Sequence, residues 1–269
     1  MARTGWSTFA DRVGPVVGRA AHVAETRSKT IIRGALQARG YQLRTLKTET
    51  GDDGDEFMVA AHAIERRHQQ QDRELVDRLS VRHGAPVFGR VHMWDLLLML
   101  GQCIDPTDDT LRCVSQLTHS LQVADSMHAA GETNPDLVVA ALVHDLGKLL
   151  LLAGEDPANV VGTSHPIGWH PSGCGLDRCV MQWNHDQIIY IRLKDQIPDH
   201  VAWLLRYHSI DPDRCARLMD DRDIDYTDRY LKPFMAHDAG SKSMFHIPVR
   251  PLDAYRDLIE SYFPEPILF

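Results

Sequence analysis

Little in this 269-residue chain points to a secreted, membrane-bound or nucleic-acid-binding protein. Cysteine is scarce. Cys103, Cys113, Cys174, Cys179 and Cys215 are odd in number and show no CxxC spacing, which argues against a zinc ribbon or a disulfide framework and suits a reducing compartment. No apolar run reaches membrane-spanning length, and the N-terminus, with Arg3 and Arg12, lacks the continuous apolar stretch of a secretory signal. The expected location is the cytoplasm. Positive charge is also in deficit: a formal net charge of −8 argues against a nucleic-acid surface. With no alternation of period two and no internal repeat, the expected fold class is all-α, a helical bundle.

What the chain does have is a sufficient apolar content, 43%, and fifteen histidines, which only their positions can sort. Residues 1 to 47 are mostly basic, with glycine and proline at Gly14, Pro15, Gly18 and Gly34 and helical periodicity from Ala20 to Ala38. Asp52, Asp53, Asp55 and Glu56 follow at once. That reversal marks a boundary between an N-terminal extension with its linker, residues 1–55, and a main domain, residues 56–269. The acidic stretch from Thr48 to Asp55 lacks the ligand spacing and closing Glu of a calcium loop and reads as solvated linker.

Apolar spacing predicts helices over Phe57–Arg82, Val91–Leu100 and Leu117–Ala130, with Gln69, Gln70 and Gln71 on the wet face of the first. A central helix starts at Asn134, with Pro135 early and Asp136 in its first turn, and delivers His144 and Asp145. A second apolar run, Leu149–Ala153, ends at Gly154; further helices are expected over Asp177–Lys194, Asp199–Ile210 and Leu252–Tyr262, and a polar stretch over Asp211–Asp228. Val160 to Gly175 is too rich in glycine and proline for a helix, and a long irregular segment of this kind is often a binding loop.

Four predicted helices each place one histidine on an apolar face. His119 falls with Val123 and Ser126, His185 with Met181 and Ile188, and His208 with Val201 and Leu204, while His144 ends the central run. One such histidine is more often a core residue bonded to a carbonyl than a ligand. Four of them, joined by Asp145 and Asp238, read differently, because a cation at their centre removes the cost of burying unpaired imidazoles and carboxylates. The candidate metal ligands are therefore His119, His144, Asp145, His185, His208 and Asp238. Six N/O donors without a thiolate suit two ions sharing Asp145, iron or manganese rather than zinc. Lys148, one turn beyond His144, brings positive charge to an anion on the metal. His165, His170 and His237 are loop or flanking residues and are left outside the ligand set; Trp169 fits a pocket wall or an exposed loop equally well.

The order His119, His144-Asp145, Asp238 resembles the HD-domain superfamily, most of whose members are metal-dependent phosphohydrolases. Further stretches narrow the resemblance. Thr118-His-Ser-Leu-Gln122, His144-Asp-Leu-Gly-Lys148, Val160-Val-Gly162 with Pro166 and Gly168, Cys174-Gly-Leu-Asp177, Trp183-Asn-His185-Asp186, Arg206-Tyr-His208-Ser209, Phe234 to Lys242 and Tyr262 to Leu268 together resemble the myo-inositol oxygenase family, collinearly from Glu56 to Phe269.

The resemblance implies a mixed-valent Fe(II)/Fe(III) pair with O2 as co-substrate, and cleavage of the C1–C6 bond of myo-inositol to D-glucuronate. By that resemblance His119, His144 and Asp238 hold one iron, His185 and His208 the other, and Asp145 bridges them. Lys148 and Asp145 are then the catalytic residues, with Asp105, Lys148, Gly162, Thr163 and Ser209 facing the substrate. The expected protein is a monomer that takes a small polyol. Thr163 stands where the family has an acidic contact, the loop between Gly168 and Cys174 is short, and Lys47 is the counterpart offered for an N-terminal arginine. Three other readings stay open: the same oxygenase acting on an amino- or phosphono-alcohol, a phosphohydrolase with two redox-inert metals, and a non-catalytic regulator.

Overall fold

The computed structural model describes residues 54–269, with side chains from Phe57 onward. The expected extension over residues 1–47, the linker up to residue 53 and Lys47 lie outside the described residues. The chain is mostly helical, as its apolar spacing predicts. No helix among the described residues is long and apolar enough to cross a membrane.

The expected first helix is in fact two, α1 (Gly54–Gln69) and α2 (Arg73–Arg82). Gln71 breaks it. Its side chain is buried rather than wet, donating to the carbonyls of Ala158 (3.0 Å) and Trp183 (2.9 Å) and accepting from the Trp183 amide (2.7 Å). Asp72 then caps α2 by accepting from Leu75 N at 2.8 Å. A two-residue strand β1 (Arg90–Val91) pairs antiparallel with β2 (Ile267–Leu268), too short for alternation to show in the sequence.

Helices α3 (Met93–Leu100) and α4 (Gln116–Ala129) precede the central α5 (Pro135–Val143), which Asn134 caps. Every residue of α5 from Leu137 to Val143 is buried, and a helix apolar all round belongs inside. It packs against α4 and, later in the chain, against α8, α11 and α12. His144 is its C-cap, Asp145 opens a 3₁₀ turn over Leu146–Leu149, and α6 (Leu150–Ala153) closes on Gly154 in the left-handed region.

The segment from Glu155 to Asn184 is irregular apart from short 3₁₀ turns, so the helix expected to begin at Asp177 begins only at His185, as α7 (His185–Leu193). The amides before it are already engaged. Leu176 N donates to Asp223 and Trp183 N to Gln71, while Asn184 caps α7 through Asp186 N. Helix α8 (Asp199–Tyr207) ends on His208 rather than at Ile210.

The polar stretch after it is helical too: α9 (Pro212–Cys215), and α10 (Asp221–Tyr226) started by a capping box between Asp220 and Asp223. A π-turn over Thr227–Leu231 leads into α11 (Lys232–Ser241), which carries Asp238. Finally, α12 (Arg256–Tyr262) packs on α3 and α5.

Candidate dinuclear metal centre

Helix ends deliver the histidines. His144 and His208 cap the C-termini of α5 and α8, where the last carbonyls have no partner within the helix. Each ring uses one of them: His144 Nδ1 lies 2.9 Å from Ala141 O, and His208 Nδ1 lies 2.9 Å from Leu205 O. His185, first in α7, turns its Nδ1 to Val160 O at 3.0 Å. A carbonyl can only accept, so in all three rings Nδ1 carries a proton, and in the neutral, metal-binding form Nε2 presents a lone pair. His119, inside α4, has no such carbonyl; its Nε2 lies 2.9 Å from Asp238 Oδ1.

The Nε2 atoms converge on the two oxygens of Asp145. Oδ2 is 3.2 Å from His144 Nε2 and 3.8 Å from His119 Nε2, with Asp238 Oδ1 3.9 Å from His144 Nε2. Oδ1 is 3.4 Å from His185 Nε2, which in turn is 3.2 Å from His208 Nε2. Thus His119, His144 and Asp145 form one group with metal-binding spacing, and Asp145, His185 and His208 form another. His119, His144 and Asp145 are each only 1% exposed.

With the rings neutral, as metal binding requires, lone pairs face lone pairs. His144 Nε2, Asp145 Oδ2 and Asp238 Oδ1 are buried without a hydrogen bond, and neither His185 nor His208 has a proton to place between their Nε2 atoms. Such a set is unfavourable empty and fits two cations, one on each side of Asp145. All donors are imidazole nitrogen or carboxylate oxygen, a set suited to iron.

Electrostatics keep Asp145 and His185 in metal-binding form, whereas at His144 burial is outweighed by the carboxylates Asp145 and Asp238, which raise the ring's pKa. Burial favours the neutral acid at Asp145, but His144 and Lys148 outweigh it and hold the carboxyl well below the usual carboxylate range. His185 is pushed down to about 4, first by burial. Burial opposes the charge on Lys148, yet Asp105 and Asp145 hold it protonated, above the usual lysine range. Its ammonium donates to Asp105 Oδ2 at 2.9 Å, Asp145 Oδ1 at 3.0 Å and Gln116 Oε1 at 3.0 Å.

Above these groups lies a cavity of about 440 Å³. Asp105, Lys148, Gly162, Thr163 and Ser209 all line it, together with the metal-binding groups and with Asp108, Glu65 and Lys242. Asp105 is set by Thr107, whose Oγ1 donates to it at 2.7 Å. His68 from α1 anchors the far wall: its ring nitrogens meet the carbonyls of Ala158 (3.0 Å) and Thr163 (2.8 Å). Gly162, at φ 100, lies so close to that ring that a Cβ would come within 2.8 Å of it.

Of the histidines left outside the ligand set, His165 bonds Thr163 Oγ1, His170 bonds Ile167 O, and His237 bonds Ser126 Oγ. Trp169 is 79% exposed and does not line the cavity. Gln116, His68 and Lys242 belong to the site but were not signalled as such. Lys242 stands four residues after Asp238, at the end of the Phe234 to Lys242 stretch that carries the resemblance, and pairs with Asp108 at 2.8 Å.

The sequence matches the family model described as Myo-inositol oxygenase over residues 58–173 and 166–269. The chain belongs to the myo-inositol oxygenase family. It is similar to the "Probable inositol oxygenase" of Oryza sativa subsp. japonica, 29% identical over 237 residues covering 73% of this chain and 76% of that protein. It is also similar to "Inositol oxygenase 5" of Arabidopsis thaliana, 26% identical with 86% of this chain and 84% of that protein covered. The "Inositol oxygenase" of Mus musculus is 23% identical, with 73% and 82% covered. As a member of this oxidoreductase family, the chain carries two buried His/Asp groups suited to a dinuclear iron site. The two matched stretches overlap at 166–173, within the segment where the loop before Cys174 is short.

Proposed function

We propose that this member of the myo-inositol oxygenase family cleaves myo-inositol, with O2, to D-glucuronate at a pair of irons, in the cytoplasm. The observation that carries the reading is the division of Asp145: one oxygen faces His119 and His144, the other His185, at the floor of a polar cavity. In this reading His119, His144 and Asp238 hold one iron, His185 and His208 the second, and Asp145 both. Bound there, the iron pair supplies Lewis acidity toward a diol and the electron changes that reduction of O2 requires.

The chain's own residues do the rest. The Lys148 ammonium, at the edge of the cavity beside Asp145, stabilises a substrate oxygen that has lost its proton. The second oxygen of Asp105 takes part in the ion pair with Lys148, while Oδ1 accepts from Thr107, so the carboxylate is fixed for a substrate hydroxyl to approach. Gly162 keeps its carbonyl in place by accepting from Asn184 Nδ2 at 2.8 Å. Burial of the donors keeps bulk water from the reacting atoms.

The test is oxygen uptake by iron-loaded protein on addition of myo-inositol, with D-glucuronate measured in the same vessel. One equivalent of product per O2 is expected. A flat oxygen trace with release of phosphate from a phosphomonoester overturns the reading in favour of the phosphohydrolase.

One observation favours a second reading, the same scaffold acting on another chelating alcohol: Thr163, a neutral group, lines the cavity at the position where the family resemblance places an acid. Thr163→Asp is expected to lower KM for myo-inositol about five- to tenfold, since a hydrogen bond to a charged acceptor is roughly 1 kcal/mol stronger than one to a neutral acceptor. A rise in KM would move the search to amino- and phosphono-alcohols.

A further inference from the structure

Asp186 follows His185 in α7 and is fully buried, yet the roles assigned above leave it unused. Its Oδ2 accepts the Ser209 hydroxyl at 2.6 Å and the Ser209 amide at 3.2 Å. Its Oδ1 makes no hydrogen bond and lies 3.2 Å from His185 Nε2. That nitrogen has no proton to offer, because the ring proton is on Nδ1, committed to Val160 O. His208 Nδ1, 3.6 Å from the same oxygen, is likewise committed to Leu205 O. Among the described residues, no lysine or arginine pairs with Asp186. A buried carboxylate oxygen that meets only a lone pair needs a cation between or beside the two.

We propose that Asp186 is the positioning residue of the second metal position, supplying the negative charge that holds a cation beside His185 and His208, and that through Ser209 it also reads the substrate. The inference rests on the dinuclear reading above. Ser209 has one proton and two lone pairs. The proton goes to Asp186, and one lone pair accepts from Asn184 Nδ2 at 3.0 Å. What remains toward the cavity, which Ser209 lines, is a single acceptor. Ser209 therefore takes a proton from a substrate hydroxyl and cannot give one. An alcohol pairs with it, whereas a carbonyl at that carbon leaves two acceptors facing each other, and sites of this kind reject the analogue that lacks the O–H.

In Asp186→Asn the amide group presents an N–H to His185 Nε2 and competes with the metal for that lone pair. Wild-type protein, Asp186→Asn and Ser209→Ala would be titrated anaerobically with Fe(II), with bound iron counted per chain and folding checked by circular dichroism. The wild type is expected to take two ions; the Asn variant keeps the first and binds the second about ten- to a hundredfold more weakly, the range for loss of a residue that supports metal ligands. Ser209→Ala keeps both. An Asn variant that holds two ions at wild-type affinity overturns the proposal alone. A wild type that takes no second ion overturns the dinuclear reading with it.

A second arm leaves Asp186 unchanged and so does not depend on the folding of that variant. Calorimetry on the iron-loaded, anaerobic wild type compares myo-inositol with a keto-inositol. Inositol is expected to bind tenfold or more tightly, and Ser209→Ala to bring the two within about twofold. Equal binding of both compounds by the wild type overturns the assignment of Ser209 as an acceptor.

Discussion

Gly147 lies with its Cα against the backbone of His185, so close that a Cβ on residue 147 would sit 2.2 Å from the His185 carbonyl oxygen. The glycine stands between Asp145 and Lys148, and its lack of a side chain lets the turn after α5 press onto the start of α7. That approach brings His185 Nε2 to 3.4 Å from Asp145 Oδ1. Gly147→Ala forces backbone from backbone, where nothing flexible can give way. Overpacking of this kind costs about 1–3 kcal/mol. Thermal unfolding should show a Tm lower by roughly 2–12 °C, which follows from about 2–4 °C per kcal/mol in a chain of this size. Iron analysis should show the second ion weakened.

Asp145 and Asp238 differ in what their loss removes. In the assignment proposed above, Asp145 serves both cations and Asp238 one. Asp145→Ala is expected to abolish iron binding, whereas Asp238→Ala should leave the ion beside His185 and His208 in place. Metal analysis after desalting decides. Full occupancy by two irons in Asp145→Ala would sink the bridging assignment.

Lys148 is held between two buried carboxylates, and its removal affects chemistry and stability separately. Lys148→Ala should keep both irons while kcat/KM for the substrate falls about 10²–10³-fold, an effect of the size seen when electrostatic stabilisation of a developing oxyanion is removed. It also leaves Asp105 buried without its cation. Breaking such a pair costs about 3–5 kcal/mol, so a lower denaturation midpoint should accompany the kinetic change. The double variant Lys148→Met with Asp105→Asn should recover stability and not activity.

Two thiols away from the metal centre give a prediction in pH. Burial pushes Cys179 up to about 12 and Cys215 up to about 11. The thiolate is the reactive form, and at pH 8 it is about one part in ten thousand for the first and one in a thousand for the second. Iodoacetamide at pH 8 should leave both unlabelled in the folded protein and label both in denaturant, with the modified peptides read by mass spectrometry. The labelled fraction should rise with pH, never fall. Labelling of folded Cys179 at pH 8 as fast as a free thiol would contradict its burial.

How much of this was legible in the sequence depended on whether a residue's partners were near in the chain. The apolar faces around His119 and along α5 follow from spacing, and so did the approach of five nitrogen and oxygen donors, with Asp238 beside His119. Gln71 was not legible, because what buries it is a set of hydrogen bonds to Ala158 and Trp183, about ninety and a hundred and ten residues away. For the same reason α7 starts at His185 and not Asp177: the amides before it are taken by residues from other parts of the chain. The helices after Asp211 escaped because their turns are capped by aspartates, which read as polar loop when counted only by composition. Gln116 and Asp186 are buried polar residues whose purpose lies in neighbours that only folding supplies.

The use of two helix C-caps as ligands has an electrical consequence. Peptide dipoles in a helix add up to a partial negative charge at its C-terminal end. Helices α5 and α8 both finish at a histidine, His144 and His208, whose rings lie 5.2 Å apart, so both helices bring that end to the metal centre. Each contributes about 0.3–1 kcal/mol toward a cation held there. The backbone itself thus sets an attractive potential for metal ions before any carboxylate is counted, and a cation lost from the site would leave two like-signed helix ends close together.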